Sequence, residues 1–229
     1  MTRTSDVDRP RKRRSQEERK TETRDRLIKA TIAEIQDRGY AGLKTRRVAE
    51  RARMTWGAAQ HLFGDKNDLL VDVNLYLYEK IVHRLMQFDV MNTRRKGWAT
   101  DYVRHLWDVF SSPEMQVFYE LVIGSRHDPE FYAKLKVRVN TMTRQLDQLW
   151  LKAWSHSAIP TDQLLGLRTV VTLTLESLSI GTHIRGDSQY IDRALRTLVV
   201  AIENMLEGAS VHTGKRGDLM LAGALRSSR

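Results

Sequence analysis

Residues 54–70 read MTWGAAQHLFGDKNDLL. Thr55 stands where an N-cap belongs, Trp56 follows, and Gly57, Ala58 and Ala59 then form a run of small residues where larger apolar anchors would be usual. Gln60 and His61 are polar, and Asp65 opens a second helix. A helix kept small in its middle lets its axis approach another surface closely. Immediately upstream, TRRVAERA at residues 45–52 forms another short helix, with Thr45 as its expected cap and Val48, Ala49 and Ala52 on the inner side. Two short helices separated by a tight turn, behind a longer scaffold helix at about residues 23–38, make a helix-turn-helix. In that motif the second short helix enters the major groove and the first crosses the phosphate backbone.

The motif assigns chemistry to particular side chains. Thr55 offers a hydroxyl and free backbone N–H groups to a phosphate. Gln60 has the two-pronged amide that reads adenine, and Ala58 can meet a thymine methyl. Trp56 and His61 flank the backbone or a sugar, although Trp56 alone reads more readily as packing and His61 equally well as either. Arg46 and Arg47 follow the Thr45 cap and are expected to point outward, because Val48 and Ala49 take the inner face. Lys66 opens the next helix, where it and the terminal amides suit a phosphate.

Charge supports this placement. The 229-residue chain carries a formal +10, yet residues 1–66 hold 18 Lys/Arg against 10 Asp/Glu, and the rest only 20 against 18. The basic surplus therefore sits in the first third and calls for an anionic partner there. Residues 1–22, with RPRKRR at 9–14, read as a disordered basic arm, in which Ser15 and Glu18 have the spacing of a capping box. No stretch approaches the apolar length of a membrane span, and the N-terminus lacks a secretory pattern. The absence of cysteine excludes disulfides and thiolate chemistry and fits a cytoplasmic setting. No phosphate-binding glycine loop, nucleophile elbow or His pair at metal-binding helical spacing occurs, so no enzyme, metal or cofactor is expected.

Beyond the motif the pattern is helical throughout, and the fold class is all-α. Asp65 is the expected cap of a long helix bearing Leu69, Leu70, Val73, Leu77 and Ile81. Ser112-Pro113-Glu114 and Asp128-Pro129-Glu130 are helix starts, each with a cap, a proline and a first-turn acid. Helices are expected at 98–110, 113–126, 129–155, 162–184 and 188–207.

From Arg24 to Leu70 the chain resembles the DNA-binding domain of the TetR (tetracycline repressor-like) family of bacterial transcriptional regulators. The matching elements are LIKATIAEIQDRGYAGLKT at 27–45, VAERA at 48–52, Thr55-Trp56-Gly57-Ala58, and FGDKNDLL at 63–70. It departs at Gln60, where the family usually has an aromatic residue, at Leu62, where it often has His, and at Arg53, where its turn usually has Gly.

The resemblance implies a domain at 23–68, a regulatory and dimerisation bundle at 69–208, and a flexible tail at 209–229. It implies a cytoplasmic homodimer that binds a pseudo-palindromic operator in double-stranded DNA and responds, as a repressor, to a small apolar or aromatic effector. Two stripes at helix-packing spacing are the expected dimer interface: Leu164, Leu167, Val171, Leu175 and Leu178, and Ile191, Leu195, Leu198, Ile202 and Met205. The expected effector pocket draws on Trp98, Tyr102, His105, Trp107, Phe110, Phe118, Tyr119, Arg126, Trp150 and His183, from a region dense in aromatic residues. An alternative reading is a nucleoid- or membrane-surface-associated helical protein that binds through its basic arm.

Overall fold

The computed structural model describes residues 15–185 and 188–211, and among them the regular structure is helical. α1 (Gln16–Arg38) leads through a single 3-10 turn (Tyr40–Gly42) to α2 (Thr45–Arg51), α3 (Trp56–Phe63) and α4 (Lys66–Leu85). α5 (Trp98–Phe110), α6 (Pro113–Ser125), α7 (Pro129–Ala153), α8 (Thr161–Arg185) and α9 (Ser188–Val211) follow.

Most helix starts obey their local chemistry. Thr55 accepts from the Ala58 amide and Ser112 from that of Met115, with Pro113 in the first turn. Asp128 accepts from the Phe131 amide at 3.0 Å. Asp65 and Asp68 each accept from the other's amide, a capping box closed by the shorter acid.

Two starts correct the sequence reading. α1 begins at Gln16, so residues 16–22, assigned above to the arm, are helical; Ser15 and Glu18 exchange both bonds of a capping box there. The basic run at 9–14 lies outside the described residues. Thr45 is not a cap but the first residue of α2, because the chain leaves its extended conformation one residue earlier, at Lys44. At the other end, α9 continues to Val211, three residues into the expected tail, and the remainder of that tail lies outside the described residues.

The chain divides into two compact units that do not follow a simple N-to-C order. One comprises the residues up to Arg84 together with Ser111–Thr141, so α1–α4 share a unit with α6 and the first half of α7. Its core runs through Leu27, Ile28 and Ile35 of α1, Val48 of α2, Phe63 of α3, Leu70, Val73 and Leu77 of α4, and Leu121 of α6. A boundary at 68/69 would cut through this core. Tyr40 and α6 fit closely: the Tyr40 amide donates to Glu120 Oε2 at 2.6 Å, and Gly124 leaves room for the Tyr40 ring.

The other unit comprises Leu85–Phe110 and the residues from Met142 onward, in which α5 packs on both α8 and α9. Leu164, Leu167, Val171, Leu175 and Leu178 are buried in this unit, as are Leu198 and Ile202, while Ile191, Leu195 and Met205 are half-buried. The stripes expected to form a dimer interface are thus, at these seven buried positions, the core of the chain itself. The helical period revealed apolar faces, but α5 covers them. Residues 161–182 of α8 are also apolar and long enough to cross a membrane, contrary to the sequence expectation. Within this unit, however, α8 carries the nearly buried Arg168, which pairs with Asp147.

Candidate DNA-contacting face

α3 is anchored by Ala59 and Phe63, which are buried; Gly57, Ala58, Gln60 and His61 are exposed, and Trp56 is half-buried. The small residues therefore divide by role. Ala59 lets α3 sit close to α1 and α2, whereas Gly57 and Ala58 leave its outer face low. Thr55 is exposed at the N-terminus of α3, its hydroxyl oxygen 3.2 Å from the Ala58 amide. Occupied in this way, the hydroxyl still has a proton to donate to a phosphate.

Arg46 and Arg47 behave differently, which corrects the expectation that both point outward. The Arg46 side chain is 90% exposed and pairs with Glu50, one turn on, at 2.9 Å. An exposed pair at this spacing contributes little and yields readily to a phosphate. Arg47 instead turns back, donating to Glu34 Oε1 at 2.5 Å and to the Gly42 carbonyl at 2.7 Å. Glu34 explains this: its carboxylate is buried in α1, where an ion is costly without partners, and Arg47, Arg51 and Arg38 all approach it. The sequence reading did not single out Glu34, because helical periodicity carries no sign of such a hub.

Lys66 is half-buried, with its Nζ 5.5 Å from the centre of the Tyr40 ring. The nearby Asp68 amide is already bound to Asp65, so the start of α4 presents fewer free groups than the sequence suggests. Thr45 is half-buried in the first turn of α2. Two further exposed cations belong to this region, Lys44 before α2, which the sequence reading missed, and Arg53 in the turn. Arg53 has φ +58°, the left-handed region in which glycine is the easy residue.

The expected effector residues divide between the two compact units. Phe118, Tyr119 and Arg126 belong to the first unit; Trp98, Tyr102, His105, Trp107, Phe110 and Trp150 belong to the second. Arg126 is exposed and donates to His127 Nε2, which removes it as a buried anion partner. The His183 side chain lies outside the described residues. In the second unit Trp98, Tyr102 and Trp150 stack in sequence, joined by Trp154 and by Phe88, which the sequence reading passed over because it lies outside every helix. Burial pushes the Tyr102 phenol well above its ordinary pKa, with Arg168 opposing the shift.

Comparison with known proteins bears on both units. A family model described as "Bacterial regulatory proteins, tetR family" matches residues 27–73. The chain is 23% identical over 197 residues to the HTH-type transcriptional regulator CymR of Pseudomonas putida, covering 84% of this chain and 95% of that one. A solved transcriptional regulator from Rhodococcus sp. Rha1 shares the fold with a TM-score of 0.63 at 18% identity, covering 81% of this chain and 96% of that chain. So does the multidrug binding protein EbrR complexed with imidazole, with a TM-score of 0.58 at 20% identity over 79% and 90% of the two chains.

Proposed function

We infer that this chain, a TetR-family protein by its DNA-binding domain, is a sequence-specific transcriptional regulator that binds a pseudo-palindromic operator as a homodimer and releases it when a small molecule binds. The observation that carries the reading is the division of α3 into an anchored side, Ala59 and Phe63, and a low, polar, exposed side, Gly57, Ala58, Gln60 and His61. On this reading Gln60 and Ala58 face base edges, while Thr55, Arg46 and the exposed Lys44 and Arg53 meet phosphates. Arg47 is assigned to holding α2 on α1. The site of action is the bacterial cytoplasm.

The dimer reading rests on α8. Gly166, Thr169, Val170, Leu173, Ser177 and Ile180 are exposed along one face, uncharged over about 20 Å of helix, and exposed Val200 of α9 adds to the apolar surface. A second copy, related by a two-fold axis, covers such a face with the same residues. Its symmetry would place two copies of α3 on successive major grooves. An effector acts by binding more tightly to the conformation that misplaces them, and it shifts the equilibrium only by that difference in affinity. EbrR, the neighbour solved with imidazole, supports a ligand-responsive reading, and repression is the mode proposed.

The test is a footprint of the purified chain on the DNA flanking its own gene, across a salt series. A protected, two-fold symmetric site that survives competitor DNA, and survives deletion of residues 1–14, supports the reading. Binding without a defined footprint that disappears on the same deletion would favour the basic arm as the binding element and overturn it.

A further inference from the structure

The aromatic cluster of the second unit has used its ring faces but not all of its polar edges. Trp98 stacks on Tyr102 at 4.8 Å, Tyr102 on Trp150 at 5.5 Å, and Trp154 on His156 at 5.9 Å. The Trp150 indole donates to the Leu164 carbonyl at 2.8 Å. Trp98 Nε1, Trp154 Nε1 and His105 Nε2 are buried, and among the described residues none has a hydrogen-bond partner. All three belong to one connected group of rings: Trp154 stands edge-on to Trp98 at 5.4 Å, and Phe88 lies 5.9 Å from Trp98 and 5.4 Å from His105. An indole N–H donates and never accepts, so two obligate donors sit inside an apolar cluster with nothing to receive them. A buried donor left unmatched is unfavourable, and native proteins rarely keep one without a use.

We propose that the effector enters this cluster and receives these donors, and that it is therefore a planar, largely apolar molecule bearing a hydrogen-bond acceptor such as a carbonyl oxygen, not an organic cation. This deepens the regulator reading and rests on it. A quaternary ammonium would need open aromatic faces to sit upon. Here the faces of Trp98, Tyr102 and Trp150 are engaged with one another, and an ammonium would leave both indole donors unmet. A carbonyl on a flat ring system meets both demands, filling apolar space with its body and receiving the N–H groups with its oxygen. His105 Nε2 adds a third point of contact, as donor or acceptor according to its tautomer.

Three probes of nearly the same shape test this by calorimetric titration of the full chain: an acetylnaphthalene, an isopropenylnaphthalene and a naphthyltrimethylammonium. The acetyl compound is expected to bind about tenfold more tightly than the isopropenyl compound, as one gained hydrogen bond implies. Trp98→Phe or Trp154→Phe, which keeps an aromatic ring but removes the donor, should shrink that ratio toward one while the melting curve stays cooperative. Equal binding of the acetyl and isopropenyl probes would overturn the proposal, as would preference for the ammonium or failure of all three to bind at high micromolar concentration. A ratio unchanged in both Phe variants would mean that water alone serves the donors, and would overturn it as well. Footprinting the same preparations separates the two readings: a chain that protects a symmetric site but fails the probe tests loses only this inference. Acceptor-dependent binding without any operator would sink the regulator reading instead.

Discussion

A β-carbon placed on Gly124 would stand 2.3 Å from Cδ1 of Tyr40, far inside van der Waals contact, so the Tyr40 ring and the backbone of α6 touch without an intervening side chain. Gly124→Ala must therefore push the ring aside, and overpacking of this kind costs about 1–3 kcal/mol. Urea unfolding should show that loss, and Tyr40→Ala in the same chain should recover part of it. Additive losses in the double variant would show that the two residues do not share the contact.

Arg46 and Arg47 are neighbours with opposite fates, and their alanine variants should separate. Arg46→Ala is expected to leave stability within about 0.5 kcal/mol and to reduce the slope of log affinity against log salt by about 1. Arg47→Ala leaves the buried Glu34 carboxylate with fewer partners and should cost about 2 kcal/mol, moderated by Arg51 and Arg38, which remain close. Its salt slope, measured where the chain is still folded, should match the parent. The reverse pattern would mean that the two arginines have been assigned the wrong way round.

Arg53 occupies the turn in a conformation that costs a non-glycine residue roughly 1–2 kcal/mol. Arg53→Gly should raise stability by about 1 kcal/mol in denaturant titration, and Arg53→Ala should not. If both variants gain equally, side-chain charge rather than backbone strain is responsible.

On α8, adjacent positions have opposite environments. Leu173 is 58% exposed, and Leu173→Glu should give a folded monomer by analytical ultracentrifugation at micromolar concentration, with operator affinity reduced at least tenfold. Leu175 is fully buried, and Leu175→Glu should fail to fold at all. A Leu173→Glu protein that remains dimeric would move the interface elsewhere.

The Glu176 carboxyl is held above its ordinary pKa by burial, with Arg168 opposing. In the folded chain it therefore keeps its proton to a higher pH than in the unfolded one. Its favourable contribution is complete below the unfolded value and fades as pH rises through the folded one. Glu176→Gln should thus raise the melting temperature at neutral pH relative to the parent, with the difference vanishing near pH 4. A difference independent of pH would point to packing instead.

The helices and most of their caps could be read in advance because they depend on neighbours in sequence. Ser112 with Pro113, Asp128 with Pro129, and Thr55 before Trp56 announce themselves within four residues. The exposed half of α3 was legible for the same reason. What escaped depended on distant parts of the chain. Arg47 was expected in solvent because its own helix offered no inward partner, and Glu34 lies thirteen residues away. The stripe from Leu164 to Leu178 showed that a face is covered but not by what, and α5 turned out to cover it. Phe88 joins an aromatic cluster from outside any helix, where periodicity has nothing to say.

The inclusion of residues 111–141 in the same compact unit as α1–α4 bears on how such a protein can be rebuilt. A chimera that borrows only the first seventy residues would strip α6 from α1, and Glu120 and Gly124 from Tyr40, leaving the transplanted segment without its floor. A working exchange of DNA specificity must either carry α6 along as a second, discontinuous insert or confine itself to the outer face of α3. Evolution faces the same choice, and on the proposed regulator reading point substitution at the exposed Gly57, Ala58, Gln60 and His61 is the easier road to a new operator.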